Sequence, residues 1–199
     1  MKLLNTAWCR ENRAKPLVFL GAVLFASGVA HLGVYCIDGG AWEGDISWRK
    51  PILFGISAGL TSISMGWVWG SLSTWKYDRF LSWTAALALL LEVGLIDLQQ
   101  WRGVASHFNR STALDSAIYN VMGLLILWVT GVIIALTVRS FMTPLSQPTP
   151  MVIAIQYGLL YLTISCGLGI LININADLRM QHGMPPAQSG HARVARVSH

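Results

Sequence analysis

The sequence predicts an all-α membrane protein, a polytopic bundle of about five transmembrane helices with a cytoplasmic N-terminus. Three observations predict it. Hydrophobic residues make up 54% of the 199 positions and charged residues only 12%, about half the charged share of a soluble domain. Mean hydropathy is +0.53, and there are nine Trp, a residue that favours the membrane interface. The apolar runs are continuous rather than alternating, which selects helices over barrel strands as the way to satisfy the backbone in lipid.

A hydrocarbon core of about 30 Å takes about 20 helical residues. The runs of that length cover 16–37, 51–72, 80–98, 117–138 and 151–174. They form one transmembrane domain over 16–176, between a cytoplasmic tail, 1–15, and a flexible extracytoplasmic tail, 177–199. Before the first run stand Lys2, Arg10, Arg13 and Lys15, which hold the N-terminus inside by the positive-inside tendency. Residues 1–30 have the layout of a signal peptide, with small residues at Gly28 and Ala30. The apolar run is as long as a span, so it reads as the first helix. Gly39-Gly40 ends it.

The second span opens on Trp48-Arg49-Lys50-Pro51. Pro suits a first helical turn, while Trp and snorkelling Arg and Lys anchor at the interface. The same cations are placed to meet a lipid phosphate. Gly55, Gly59, Ser62, Gly66 and Gly70 form a stripe of small residues, and Ala22, Ala26 and Ala30 a weaker one on the first span. Small residues let helices approach closely. The stripe therefore reads as packing within the bundle, or as a contact with another membrane protein through Gly55, Gly59, Gly66 and Gly70. In the third span Ala85–Leu91 leads to Glu92 and then to a polar stretch, 97–109. Thr112 and Asp115 resemble a capping box ahead of the fourth span. Thr149-Pro150 opens the fifth after a loop, 143–148. Asn120, Gln156, Asn173 and Asn175 read as interhelical hydrogen-bonding amides.

Glu92 is the most informative residue. A carboxylate at the centre of a span costs roughly 3 kcal/mol or more and usually faces a partner or a wet cavity. With the N-terminus inside, His31, His107, His182, His191 and His199 all fall in the outer half. So do Asp38, Glu43, Asp45, Glu92, Asp97, Asp115 and Asp177, leaving Glu11 and Asp78 inside. A site therefore opens to the extracytoplasmic side. On helical geometry Glu92 and Gln99 share a face, Gln100 lies obliquely and Asp97 points away, towards Arg102 or water. His31 and Tyr35 share a face of the first span, which predicts a Glu92–His31 contact. The candidate ligand-binding residues are Glu92, His31, Asp97, Gln99, Gln100, Arg102, His107 and Asn109. Arg102, Ser106, His107 and Asn109 together offer a set for an anion, a quinone head group or a lipid phosphate.

No HExxH, Walker A, GxSxG or CxxCH motif occurs, and Cys9, Cys36 and Cys166 form no CxxC pair. His31 and His107 are weak candidates for a metal. The widely spaced tail histidines are weaker still. The net charge of +5 follows the topology, and no basic, aromatic-interleaved surface suggests nucleic acid.

Trp48-Arg49-Lys50-Pro51 and the stretch Gln99 to Asn109, QQWRGVASHFN, resemble a group of uncharacterised bacterial multi-pass integral membrane proteins sharing a WRKP / QxxRGxxSHFN pattern. The resemblance covers 45–125 and extends to Ala176-Asp177-Leu178-Arg179. It implies a bacterial inner-membrane location and marks the polar stretch, and it carries no activity or cofactor. It also implies a further span rich in His and Gln beginning where this chain ends, so a truncated or divergent form is expected.

The functional expectation is a polar site in the outer half that handles a small ligand, an ion or a proton. The alternatives are a haem-, quinone- or metal-binding redox protein or enzyme, with His31 and His107 as ligands, and an accessory subunit of a larger membrane complex. The sequence assigns neither a catalytic residue nor a cofactor.

Overall fold

The computed structural model describes residues 13–182, and five helices lie within them. They are α1 (Lys15–Asp38), α2 (Arg49–Ser71), α3 (Asp78–Trp101), α4 (Ala113–Met142) and α5 (Thr149–Gln181). No strand occurs among the described residues. All five helices are long and apolar enough to cross a membrane. Connections 39–48 and 102–112 lie at one end of the bundle, called here the loop end, and 72–77 and 143–148 at the N-terminal end. Cys9, His191 and His199 fall outside the described residues.

The helix boundaries follow local chemistry. Pro16 sits in the first turn of α1, and Gly39 (φ +70°) and Gly40 (φ +115°) end it with left-handed backbone that a side chain would disfavour. Thr112 caps α4: its Oγ1 accepts from Asp115 N at 3.1 Å and donates to Asp115 Oδ2 at 2.7 Å. This cap starts the helix at Ala113 rather than at the predicted 117. At 1.5 Å per residue α4 and α5 are about 45 and 50 Å long, more than the lipid core. Both are therefore longer than a single crossing requires. The tail expected from 177 is accordingly helical through Gln181. Arg110 Nη2 and Tyr119 Oη each reach Asp177 Oδ2 at 3.4 Å and secure that extension to α4.

The bundle is built on a close α1–α2 contact. A Cβ added at Gly28 would lie 2.6 Å from Ile56 N, and one added at Gly59 2.6 Å from Phe25 N. Ser62 Oγ donates to Leu17 O at 2.8 Å in the same seam. Lipid tails are as apolar as the side chains, so helices in a membrane gain by such van der Waals contact. Two expectations are corrected here. On α1 it is Gly21 and Gly28 that face α2, while Ala22, Ala26 and Ala30 are exposed. And Gly55, Gly59 and Gly66 are covered by α1, so they are not open to another protein. Helix α3 seats against α1 and α2 through the buried Ala85, Ala86 and Ala88, α4 packs on α3, and α5 packs chiefly on α4.

At the N-terminal end a single carboxylate ties the helices together. Asp78 is 1% exposed. It takes Arg13 Nη1 at 2.8 Å, Arg139 Nη1 at 2.6 Å and Trp75 N at 2.8 Å. The guanidiniums also donate to Leu72 O and Ser73 O, so the start of α1, the α2–α3 turn and the end of α4 share one clamp.

Gly59→Ala is expected to destabilise the bundle by about 1–3 kcal/mol through overpacking. Gly123→Ala, where an added Cβ meets nothing within 4 Å, leaves stability level or slightly raised. Asp78→Asn leaves two partly buried guanidiniums short of their counter-charge and costs about 1–3 kcal/mol. Denaturant titration in detergent micelles, followed by Trp fluorescence, checks all three.

Candidate functional site

The polar residues of α3 divide between two faces and two sets of neighbours. Asp97 and Trp101 are four apart and face α1. Glu92 and Gln99 are seven apart and face α4. Arg102, three residues after Gln99, joins the Gln99 side.

On the α1 face, Trp101 Nε1 lies 3.1 Å from His31 Nε2. An indole N–H only donates, so Nε2 is the acceptor and the imidazole hydrogen sits on Nδ1. Nδ1 donates to Ser27 O at 2.9 Å. Ser27 Oγ donates to Asp97 Oδ2 at 3.1 Å. Trp48 packs against the same imidazole, with ring centroids 6.1 Å apart, and meets Trp101 edge-on at 5.3 Å. Asp97 Oδ1 is buried and has no hydrogen-bond partner among the described residues.

This geometry rules out the most tempting chemistry. Ser27, His31 and Asp97 are the residue types of a hydrolase triad, yet the serine hydrogen points at the aspartate and Nδ1 already carries a hydrogen. Neither imidazole nitrogen is free to activate Ser27. The Nε2 lone pair is also committed to Trp101, so ligation of a haem or metal by His31 would cost that bond. His31 and His107 belong to no group of three His, Cys, Asp or Glu that could hold a metal among the described residues.

On the α4 face, Arg102 Nη1 meets Asp115 Oδ1 at 2.8 Å and also bonds Gln99 Oε1, while Gln99 Nε2 donates to Asp115 Oδ1 at 3.1 Å. Gln99 is fully buried and Asp115 is 3% exposed. The expected meeting of Asp97 with Arg102 does not form, because α4 presents Asp115 on the side where Arg102 lies.

Glu92 lies two turns deeper on this face and is 7% exposed. It makes no hydrogen bond or ion pair among the described residues. The predicted Glu92–His31 contact is absent, since His31 stands on the α1 side with Asp97. The titratable group that feels Glu92 is the Cys166 thiol of α5, which adjoins the Thr130 hydroxyl of α4. Thr130 donates its own hydrogen to Ile126 O at 2.8 Å.

The 102–112 loop folds over this end. Asn109 Oδ1 accepts from Ser111 N at 3.1 Å and its Nδ2 donates to Ala105 O at 3.2 Å, so Asn109 closes the turn. Phe108 beside it takes a left-handed φ of +59°. His107 packs on Phe54 of α2 at 5.6 Å and pairs through Nδ1 with Ser106 Oγ at 2.9 Å. Burial, and then the Lys50 charge, push the His107 pKa down from 6.5 to about 4. With His107 neutral and Arg102 bound to Asp115, the loop offers an anion little free positive charge. Gln100 is half-buried and bonds to neither set. Asp78 is the functional-looking residue that sequence reasoning passed over. Its partners Arg13 and Arg139 lie 65 and 61 positions away, and no local signal marks them.

The depressed His107 pKa has a definite sign. The folded loop prefers the neutral ring, so its contribution is complete above pH 6.5 and is lost as pH falls towards about 4. Amide exchange over 103–111, corrected for intrinsic rates, is expected to rise in that window, and His107→Gln to flatten the response. No protein-family model, curated protein or solved structure matches the chain.

Proposed function

We propose that this chain is a proton-handling multi-pass membrane protein in which Glu92 binds and releases the proton. One observation carries the reading: a carboxyl buried midway along a span with no ionic or hydrogen-bonding partner among the described residues. An uncompensated carboxylate there is expensive. The group is stable as the acid, or as the ion only while a cation visits. Metal cations are poorly served. Calcium takes six to eight oxygens and magnesium a near-ideal octahedron, whereas no oxygen ligand bonds to Glu92 among the described residues. A proton needs no ligand cage.

The basic N-terminal tail favours a cytoplasmic N-terminus, and the WRKP and RGxxSHFN resemblance favours a bacterial inner membrane. Glu92 then lies in the outer half, nearer the loop end. A second reading draws on the unpartnered Asp97 Oδ1 beside His31 and Trp101: a small ligand with a hydrogen-bond donor, held at the loop end.

Dicyclohexylcarbodiimide, which reacts with protonated carboxyls in apolar surroundings, tests the first reading on the protein in liposomes. Mass spectrometry is expected to find the adduct on Glu92 and its loss in Glu92→Gln, with Asp78 and Asp115 unmodified. Absence of an adduct at Glu92 across the pH range would end the proposal.

A further inference from the structure

Small polar groups continue from Glu92 in both directions along the α3–α4–α5 side of the bundle. Towards the N-terminal end they lie in the α4–α5 seam. Thr130 and Cys166 come first, about two turns from Glu92 by the antiparallel register that Gln99–Asp115 and Ile96–Ile118 set. Two turns on, Thr137 Oγ1 and Thr163 Oγ1 meet at 2.8 Å, and Thr137 also reaches Leu159 O at 3.3 Å. Next, Gln156 Nε2 donates to Ser140 O at 2.8 Å. Beside Ser140 stands Arg139, on Asp78 at the bundle's end. Towards the loop end, the Gln99–Arg102–Asp115 cluster lies about 10 Å from Glu92 along the axis.

Two apolar layers interrupt the series. Above Glu92, Ile96, Ile118 and Met122 form a small core of their own, exposed by 0, 7 and 3%. Below the Thr130 level, Ile133 and Leu159, exposed by 2 and 4%, belong to the main core. The α1–α2 seam is closed by glycine contacts and carries Ser62, whose hydroxyl is bonded to Leu17 O.

We infer that the α3–α4–α5 side is a proton path across the membrane, with Glu92 as its central station and the two apolar layers as its closures. The inference rests on the proton-binding reading of Glu92 and extends it from binding to conduction. Hydroxyls both donate and accept, so Thr137 and Thr163 can pass a proton on by turning. The apolar layers admit no ordered water and open only when transiently wetted, as hydrophobic constrictions do. The proton taken up by Glu92 at one side is released to the other, and its direction is set by the imposed gradient. The Cys166 thiol of α5 lies within electrostatic reach of Glu92.

The test uses the full chain in liposomes holding a pH-sensitive dye, with a potassium diffusion potential to drive protons. Wild type is expected to acidify the lumen faster than empty liposomes, and Glu92→Gln to abolish the excess. Thr137→Val and Thr163→Val slow it severalfold. Ile96→Ala speeds it severalfold by thinning the upper layer. Thr84→Val, a hydroxyl of α3 bonded only within its own helix, leaves it unchanged. Carbodiimide labelling of Glu92 in the other variants, and the denaturant midpoint by Trp fluorescence in Glu92→Gln, report that the bundle is intact. Labelling without proton flux overturns conduction and leaves the binding reading standing. Flux that is indifferent to Thr137→Val, Thr163→Val and Ile96→Ala overturns this route, and loss of labelling in wild type overturns both readings.

Discussion

The bundle depends on the backbone-to-backbone approach of α1 and α2. Gly21 and Gly28 on one helix and Gly55 and Gly59 on the other remove the side chains that would hold them apart. In water the hydrophobic effect would bring two such helices together with almost any apolar surface. In lipid it does not, and close dispersion contact takes its place. This pair fixes the groove into which α3 settles, and α3 carries most of the polar residues that matter. The angular setting of α3 in that groove decides what each of them meets.

Three carboxyls on this one helix end in three different states. Asp78 is saturated by two guanidiniums and a backbone N–H. Asp97 has one oxygen satisfied by Ser27 and the other left alone. Glu92 has no partner among the described residues. The gradation runs opposite to what stability alone would select, since the worst-compensated group lies deepest. Natural cores hold few such groups, and each asks for an explanation. A structural role explains Asp78, whose loss would free the three segments it clamps. It does not explain Glu92, which holds nothing together. That contrast is the physical ground for placing function there.

Much of the architecture was legible in the sequence because it is local. Apolar run length and the scarcity of charge dictate the five helices. Thr112 and Asp115 announce the start of α4, although reading the apolar run alone set that start too late. Periodicity placed Glu92 with Gln99 and Asp97 elsewhere, and the structure agrees. What periodicity could not supply was the identity of the neighbour on each side. Asp97 meets Ser27 and His31, rather than Arg102, because α1 packs on that face. Glu92 misses His31 for the same reason. The small-residue stripe of α2 was visible as GxxxG spacing, whereas its match on α1 is two glycines seven apart and was overlooked in favour of three alanines. Asp78 escaped notice because its partners come from distant segments.

The double occupancy of Asp78 bears on how the chain is assembled in time. While the ribosome is still delivering the middle of the protein, Asp78 can find Arg13 and the nearby Trp75 N–H, but no second guanidinium. Arg139 reaches the membrane only with the end of α4, and the carboxylate is shared from then on. The first three helices are therefore held by a provisional latch that the fourth completes, and a nascent bundle stalled before α4 would keep α1 on α2 through the glycine seam while its membrane-edge clamp stood half made.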